Sequence, residues 1–348
     1  MQNVQCRISN KKEETTMKDT LNYLFAGNTL TKEEARTILT CVGEGQFSEA
    51  EIAALLTVFR MRKIKAEELS GFRQAMLDLS IAVDLAEFNA IDVVGTGGDG
   101  KNTFNISTLS CFILAGAGYK VTKHGNYGLS SVSGASNMFE YFGYKFSNNA
   151  DKLRKEVEQA GICFLHAPLF HPAMKHVGPV RKALKVKTLF NMMGPIINPS
   201  RPKNQLVGVS DLEIMDLYHH VFADSDQNYL IVHSLDGYDE ISLTGDARYV
   251  SNQTEDSISP AHFGFKTVKQ EELSGGNSVE DAAKIFKNVL EGKGTEAQQN
   301  VVIANAALGI QCISPEKSLT DCVAEASESL ASGKALSVLE MLMKLNEN

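Results

Sequence analysis

The sequence predicts an α/β protein: a small all-helical N-terminal domain joined to a larger α/β domain with a central, largely parallel sheet flanked by helices. Three observations carry that class. Between residues 17 and 81, apolar side chains recur at helical spacing behind two capping boxes, a hydroxyl followed three positions later by a carboxylate. From Ala90 onward, short apolar runs alternate with helical patterns, the texture of strand–helix–strand units. The C-terminal part adds long helical stretches.

Residues 1–16 are polar, lack the apolar segment of a signal peptide and predict a disordered leader, with Met17 as a functional start. Thr31-Lys-Glu-Glu34 and Ser48-Glu-Ala-Glu51 open helices. Behind them Ile52, Leu55, Leu56, Val58 and Phe59, then Leu69, Phe72, Met76 and Leu77, form core stripes of a bundle of about four helices. Strands are expected at 90–94, 119–123, 162–165, 205–209, 229–233 and 240–243. Helices are expected at 108–117, 136–142, 151–159, 279–291 and 296–308, with a single one near 319–343.

A chain of 348 residues, 43% hydrophobic, can bury a large core. Its 34 basic against 42 acidic residues leave a net charge of −8, which speaks against a general nucleic-acid or anionic-membrane surface. No run is apolar enough to span a bilayer. The six cysteines show no C-x-x-C pair, so free, mostly buried thiols in a reducing cytoplasm are expected. His166, His171 and His176 recur every five residues, which does not place them on one helix face as a metal site would need.

The stretch D-V-V-G-T-G-G-D-G (92–100) matches the letters of a dinucleotide fingerprint, Gly95-x-Gly97-x-x-Gly100. That reading needs an acid about 20 residues on for the ribose. No Asp or Glu occurs between Gly100 and Met138; Lys120, Lys123 and His124 stand there instead. No P-loop pattern occurs either. Thr103, Asn105, Ser107 and Thr108 then place hydroxyl and amide groups at a helix N-terminus, a ready anion site. A second loop rich in glycine and serine, 123–137, follows the next strand. Two such loops at the C-terminal edge of a parallel sheet suit a ligand with several phosphates.

In order along the chain, G-T-G-G-D (95–99), N-I-S-T (105–108), K-H-G-N (123–126), F-N-M-M-G-P-I-I-N-P (190–199) and D-G-Y-D-E (236–240) closely resemble the anthranilate phosphoribosyltransferase family. The resemblance runs from about Met17 to the C-terminus. It implies a pentosyltransferase that moves 5-phosphoribose from PRPP to the amino group of anthranilate, releasing pyrophosphate, in tryptophan biosynthesis. It also implies Mg²⁺, a pair of ions per subunit, and a cytoplasmic homodimer formed through the small helical domain. That domain would span 17–87 and recruit roughly 175–205. The α/β domain would take 88–174 and 206–348, with the substrates meeting at the hinge.

Carried over residue by residue, Gly95, Gly98, Asp99 and Thr103 line the PRPP site. Asn105, Ile106, Ser107 and Thr108 hold its phosphates, as do Lys123, His124, Gly125, Asn126, Tyr127, Gly128, Leu129, Ser130, Ser131 and Ala135. Ser107, Asp239 and Glu240 match the metal positions. Gly95, Asn126 and Arg181 match the anthranilate contacts, and His124, His171 and Pro195 wall its channel. Hard carboxylate oxygens suit Mg²⁺, and donors aimed at the departing pyrophosphate stabilise the charge that develops there. Arg181 would clamp the substrate carboxylate. No general base stands out, so positioning and charge stabilisation are expected to dominate.

Several positions depart from the commonest family pattern. Tyr127 stands where Arg is frequent, Val132 for Lys, Ala135 for Ser, Asn137 for Asp, Lys187 for Arg and Ser234 for Gly. The phosphate loop thereby has two cations and one hydroxyl fewer, which predicts weaker PRPP binding or compensation by backbone N–H groups. The rival readings are a pyrimidine nucleoside phosphorylase, a paralogue acting on another aromatic amine, and a nucleic-acid-binding paralogue. Arg181 and the intact Asp239-Glu240 favour the anthranilate reading over these, and the net charge counts against the last.

Overall fold

Hydroxyl side chains open all but the last of the N-terminal helices. In the structure, a computed structural model that describes residues 16–128 and 132–347, these are α1 (Met17–Phe25), α2 (Lys32–Gly43), α3 (Glu49–Met61) and α4 (Ala66–Asp78). Thr31 and Ser48 each accept the N–H three residues on, and Glu34 and Glu51 return the bond, as expected. Thr16 does the same with Asp19. It therefore belongs to the first helix and not to a leader; residues 1–15 lie outside the described residues. The apolar stripes meet in a core where Phe59 packs edge-on against Phe72, their centroids 5.0 Å apart.

The chain then runs through β1 (Ile91–Gly95), α5 (Ile106–Gly116), β2 (Val121–Gly125), α6 (Ala135–Tyr141), α7 (Ala150–Ala160) and β3 (Ile162–His166). A mid-chain segment carries α8 (Ala167–Phe170), α9 (Met174–Leu184) and α10 (Phe190–Met193). There follow β4 (Asn204–Gly208), α11 (Leu212–Ala223), β5 (Asn228–Ser234), β6 (Ala247–Ser251) and β7 (Glu255–Ile258). The C-terminal helices are α12 (Val279–Leu290), α13 (Glu296–Ile313), α14 (Leu319–Ala331) and α15 (Lys334–Glu347).

Two compact units result. One holds the chain up to Ala82 together with Pro168–Pro199; the other holds Val83–Ala167 and Ser200 onward. In the first, the Ile81 N–H donates to the Phe170 carbonyl (2.8 Å), which ties the start of the mid-chain segment to the end of the helical region. In the second, seven strands form one sheet in the order β3-β2-β1-β4-β5-β6-β7. Strands β1 to β5 are mutually parallel, while β6 and β7 are antiparallel additions at one edge. Helices α5 and α13 pack on each other and on β1 and β4, burying Leu109, Ile113, Val301 and Val302 against Val93 and Leu206.

Some expectations are corrected. Residues 240–243 form no strand, because Leu243 sits at φ 58° and the Ile241 N–H donates to the Asn305 side chain instead of a neighbouring strand. The single helix expected near 319–343 is two, interrupted at Gly333, whose φ of 77° no regular helix contains. Strands β6 and β7 went unforeseen because they are short, polar edge strands with little alternation. Cys111, Cys163, Cys312 and Cys322 are free and buried. Cys41, buried in α2, is not among the free thiols, and Cys6 lies outside the described residues. No helix among the described residues is long and apolar enough to cross a membrane.

Candidate active site

At the C-terminal ends of the parallel strands, Gly95 of β1 lies opposite Gly208 of β4. The chain leaves these two strands in opposite directions, toward β2 and β3 on one side and β5 on the other. Such a switch point opens a crevice above the strand ends. The turn at 236–240 folds over it. A Cβ on Gly95 would lie 2.2 Å from Asp239 Oδ2, and one on Gly208 only 1.5 Å from the Asp239 carbonyl oxygen. Asp239 thus occupies the space that side chains at both strand ends would need. Sequence reading missed Gly208; its one signal is a glycine closing an apolar strand run.

The glycine loop meets the same turn. Asp239 Oδ2 accepts the Gly97 N–H (2.6 Å), 142 residues distant in the chain. Gly97, Gly98 and Gly100 sit at φ 65°, 74° and 75°, where a side chain is strained. The Asp99 carboxyl hydrogen-bonds that of Asp239, and Thr103 bonds Glu240. The Lys101 ammonium lies 4.4 Å over the Tyr238 ring. Gly95, Gly97, Asp99, Thr103, Asp239 and Glu240 are therefore brought together.

Burial, and then the Asp99 charge, push the Asp239 carboxyl up to about 7. Burial, and then Asp239, push Glu240 well above the ordinary carboxylate range. Glu240 Oε1 is buried without a hydrogen-bond partner among the described residues. Hard, partly unsatisfied carboxylate oxygens fit a small divalent cation such as Mg²⁺, which takes one or two carboxylates and completes its shell with waters and phosphate oxygens. Among the described residues no three His, Cys, Asp or Glu groups enclose a metal ion, so the other ligands have to come from elsewhere. Ser107, half-buried in the first turn of α5, makes no side-chain hydrogen bond to either carboxylate.

Helix α5 starts without a side-chain cap; the Ile106 N–H donates to the Phe104 carbonyl (2.6 Å), and those of Ser107 and Thr108 are left to water or a ligand. Asn105 Nδ2 donates to the Ser133 carbonyl (3.1 Å), and its Oδ1 has no partner among the described residues. Ile106 is fully buried and its N–H donates to the Phe104 carbonyl, so neither its side chain nor its N–H is open to a ligand. Thr108 departs from expectation too: its side chain is buried beside Phe112, Met138, Phe139 and Phe286. Lys123 departs too. Strand alternation turns it into the core, where Nζ donates to the Val93 carbonyl (2.7 Å) and its charge favours ionised Glu240.

The loop after β2 is held closely. Asn137 Oδ1 accepts the N–H groups of Gly128 (3.1 Å) and Gly134 (2.9 Å), and the Asn126 carbonyl accepts that of Ser136 (3.1 Å). His124 and Gly125 end β2, and His124 donates its N–H to buried Asp92 (3.2 Å). Ala135 packs toward the core beside Gly125, leaving it no side-chain role toward phosphate. Exposed Tyr127 sets its ring edge-on to His166, which stacks on Phe146 at 4.1 Å and pairs with Ser136 Oγ (2.9 Å). This aromatic support was not foreseen from sequence. Leu129, Ser130 and Ser131 lie outside the described residues.

In the other unit, Arg181 occupies the last turn of α9. Its guanidinium reaches Asn191 Oδ1 (3.5 Å) and lies 5.7 Å from the Phe190 ring, and among the described residues no carboxylate pairs with it. Burial lowers its pKa, as for a cation awaiting an anion. His171, in the same unit, is 3% exposed, and burial pushes it down to about 4 from 6.5. Above 6.5 the ring is neutral whether the chain is folded or not. As pH falls toward 4 the unfolded chain gains a proton that the folded one refuses, so stability is lost through that window. Wild type should lose about 2 kcal/mol more than His171→Gln between pH 7 and pH 5 in denaturant titrations. Equal losses would remove this residue as the cause.

The helical and α/β units are those of a glycosyl transferase. A family model described as "Glycosyl transferase family, helical bundle domain" matches residues 18–80, and one described as "Glycosyl transferase family, a/b domain" matches 87–336. The anthranilate phosphoribosyltransferase of Christiangramia forsetii is 55% identical over 332 residues, covering 95% of this chain and 100% of its own. The crystal structure of the Thermus thermophilus enzyme of that name has a TM-score of 0.89 at 31% identity, covering 95% of this chain and 100% of its own. The Saccharomyces cerevisiae enzyme in complex with PRPP and Mg has a TM-score of 0.88 at 27% identity, over 95% and 98%. The chain belongs to the anthranilate phosphoribosyltransferase family. The phosphorylase and other-amine alternatives are not favoured.

Proposed function

We propose that this chain transfers the 5-phosphoribosyl group of PRPP to the amino group of anthranilate, giving N-(5-phosphoribosyl)anthranilate and pyrophosphate, as a step of tryptophan biosynthesis. The observation that carries this reading is the meeting of the G-T-G-G-D loop and the D-G-Y-D-E turn over Gly95 and Gly208. The bond from the anomeric carbon to pyrophosphate oxygen breaks with its electron pair leaving on oxygen. A carbon–nitrogen bond forms, and the amine loses one proton. Positive charge builds on the ribose and negative charge on the leaving group.

The backbone N–H groups of Ser107 and Thr108, at the uncapped start of α5, would meet that negative charge. Asp239 and Glu240 would hold Mg²⁺, a pair of ions per subunit, which supplies Lewis-acid stabilisation of the leaving group when bound. Arg181, which no carboxylate among the described residues pairs with, takes the anthranilate carboxylate, with Asn126 and Gly95 as further contacts of the acceptor. The protein acts as a cytoplasmic homodimer through its helical unit. Purified protein given PRPP and Mg²⁺ should deplete anthranilate fluorescence in step with pyrophosphate release. Folded protein that consumes no anthranilate overturns the reading.

A further inference from the structure

The residues just after Glu240 are held by side chains where a strand partner was expected. Asn305, buried on α13, donates from Nδ2 to the Ile241 carbonyl (2.8 Å) and accepts the Ile241 N–H on Oδ1 (3.0 Å). One amide side chain thus supplies both hydrogen bonds that an antiparallel neighbour would exchange with Ile241. A further bond from Nδ2 to the Val301 carbonyl (2.8 Å), one turn back on α13, fixes the plane of that amide. From the opposite side, Ser234 Oγ at the end of β5 donates to the Glu240 carbonyl (2.6 Å) and accepts the Ser242 N–H (3.2 Å). The backbone from the Glu240 carbonyl to Ser242 is therefore gripped from β5 and α13. The Glu240 carboxylate, by contrast, keeps Oε1 without a hydrogen-bond partner among the described residues.

We infer that Asn305 and Ser234 are positioning residues that clamp the Glu240 backbone and so aim its carboxylate at the metal. This rests on the reading of Asp239 and Glu240 as metal ligands. Neither residue touches substrate in this scheme; both act through Glu240. Their interest is that the clamp is made of side chains remote in sequence, so the geometry of the D-G-Y-D-E turn is set partly by a helix 64 residues further on.

Groups that orient a metal ligand are typically worth 10–100-fold in metal affinity, so Asn305→Asp should raise the Mg²⁺ concentration for half-maximal rate by about tenfold or more. That variant keeps the acceptor oxygen but loses both donated bonds. Mn²⁺ binding in the presence of PRPP, followed by loss of the free-ion EPR signal, should weaken by the same factor. The anthranilate KM and the kcat at saturating metal should stay unchanged. Ser234→Ala should shift both metal constants in the same direction. A fall in kcat with both metal constants unmoved overturns the clamp, and so does an absence of any effect. If circular dichroism shows that Asn305→Asp does not fold, Ser234→Ala decides by the same two readouts. Glu240→Gln separates the two levels. If it leaves the metal constants at wild-type values, the metal reading itself falls, and the clamp with it. If it shifts them while the Asn305 and Ser234 variants do not, the clamp alone falls.

Discussion

Replacing Gly208 by alanine should lower kcat/KM by about a hundredfold or more, the scale at which a 1 Å displacement of a site is felt. The new methyl carbon would start 1.5 Å from the Asp239 carbonyl oxygen, 2.5 Å from its carbonyl carbon and 3.3 Å from the Glu240 nitrogen. These are backbone atoms, so no rotamer change relieves the overlap. Strand β4 cannot retreat, being paired on both sides with β1 and β5 and backed by α13. The turn must move instead, taking Asp239 away from the Gly97 N–H and Glu240 away from Thr103. Steady-state kinetics on folded protein reads the effect. Gly245→Ala serves as the comparison, because nothing lies within 4 Å of its added carbon. A Gly208→Ala enzyme as active as Gly245→Ala would mean that the turn is not the seat of chemistry.

The second large effect is expected at Arg181. Arg181→Ala should raise the KM for anthranilate by about a hundredfold, since a charge-assisted bidentate pair to a carboxylate contributes roughly 3 kcal/mol. The KM for PRPP should hold steady. The guanidinium is half-buried, bears on the Phe190 ring and has only Asn191 as a hydrogen-bond partner among the described residues, so its removal unpairs no carboxylate of the protein. Arg181→Lys should restore charge without the planar fork and recover only part of the loss. If instead the PRPP KM rises most, Arg181 serves the phosphates and the division of the site is wrong.

What sequence revealed and what it hid follow from the range of the interactions. Capping boxes at Thr31 and Ser48, and the strand runs around Val93 and Leu230, were legible because they depend on neighbours a few residues apart. The glycine loop could be set apart from a dinucleotide or P-loop motif because those rivals require an acid or a lysine at fixed spacing. Gly208, Asn305 and the His166–Phe146 stack were not, because each has meaning only through a partner brought from another strand or helix. Lys123 shows a related limit: its residue type suggested a phosphate ligand, while its place in β2 points it inward. The stretch 240–243 has strand composition but no strand partner, and a side chain took that role.

The break at Gly333 has a mechanical consequence. It lets the chain double back so that Ala335 and Ser329 close on Gly116, at the far end of α5; Ser329 Oγ donates to the Ile113 carbonyl (2.7 Å), and a Cβ on Gly116 would lie 2.7 Å from the Ala335 nitrogen. Helix α5 is a strut about 16 Å long, its foot wedged by the last two helices and its uncapped first turn at the other end. It cannot slide toward that foot without collision. The reach of its tip is thus set from the opposite end of the helix, by residues that never meet the ligand.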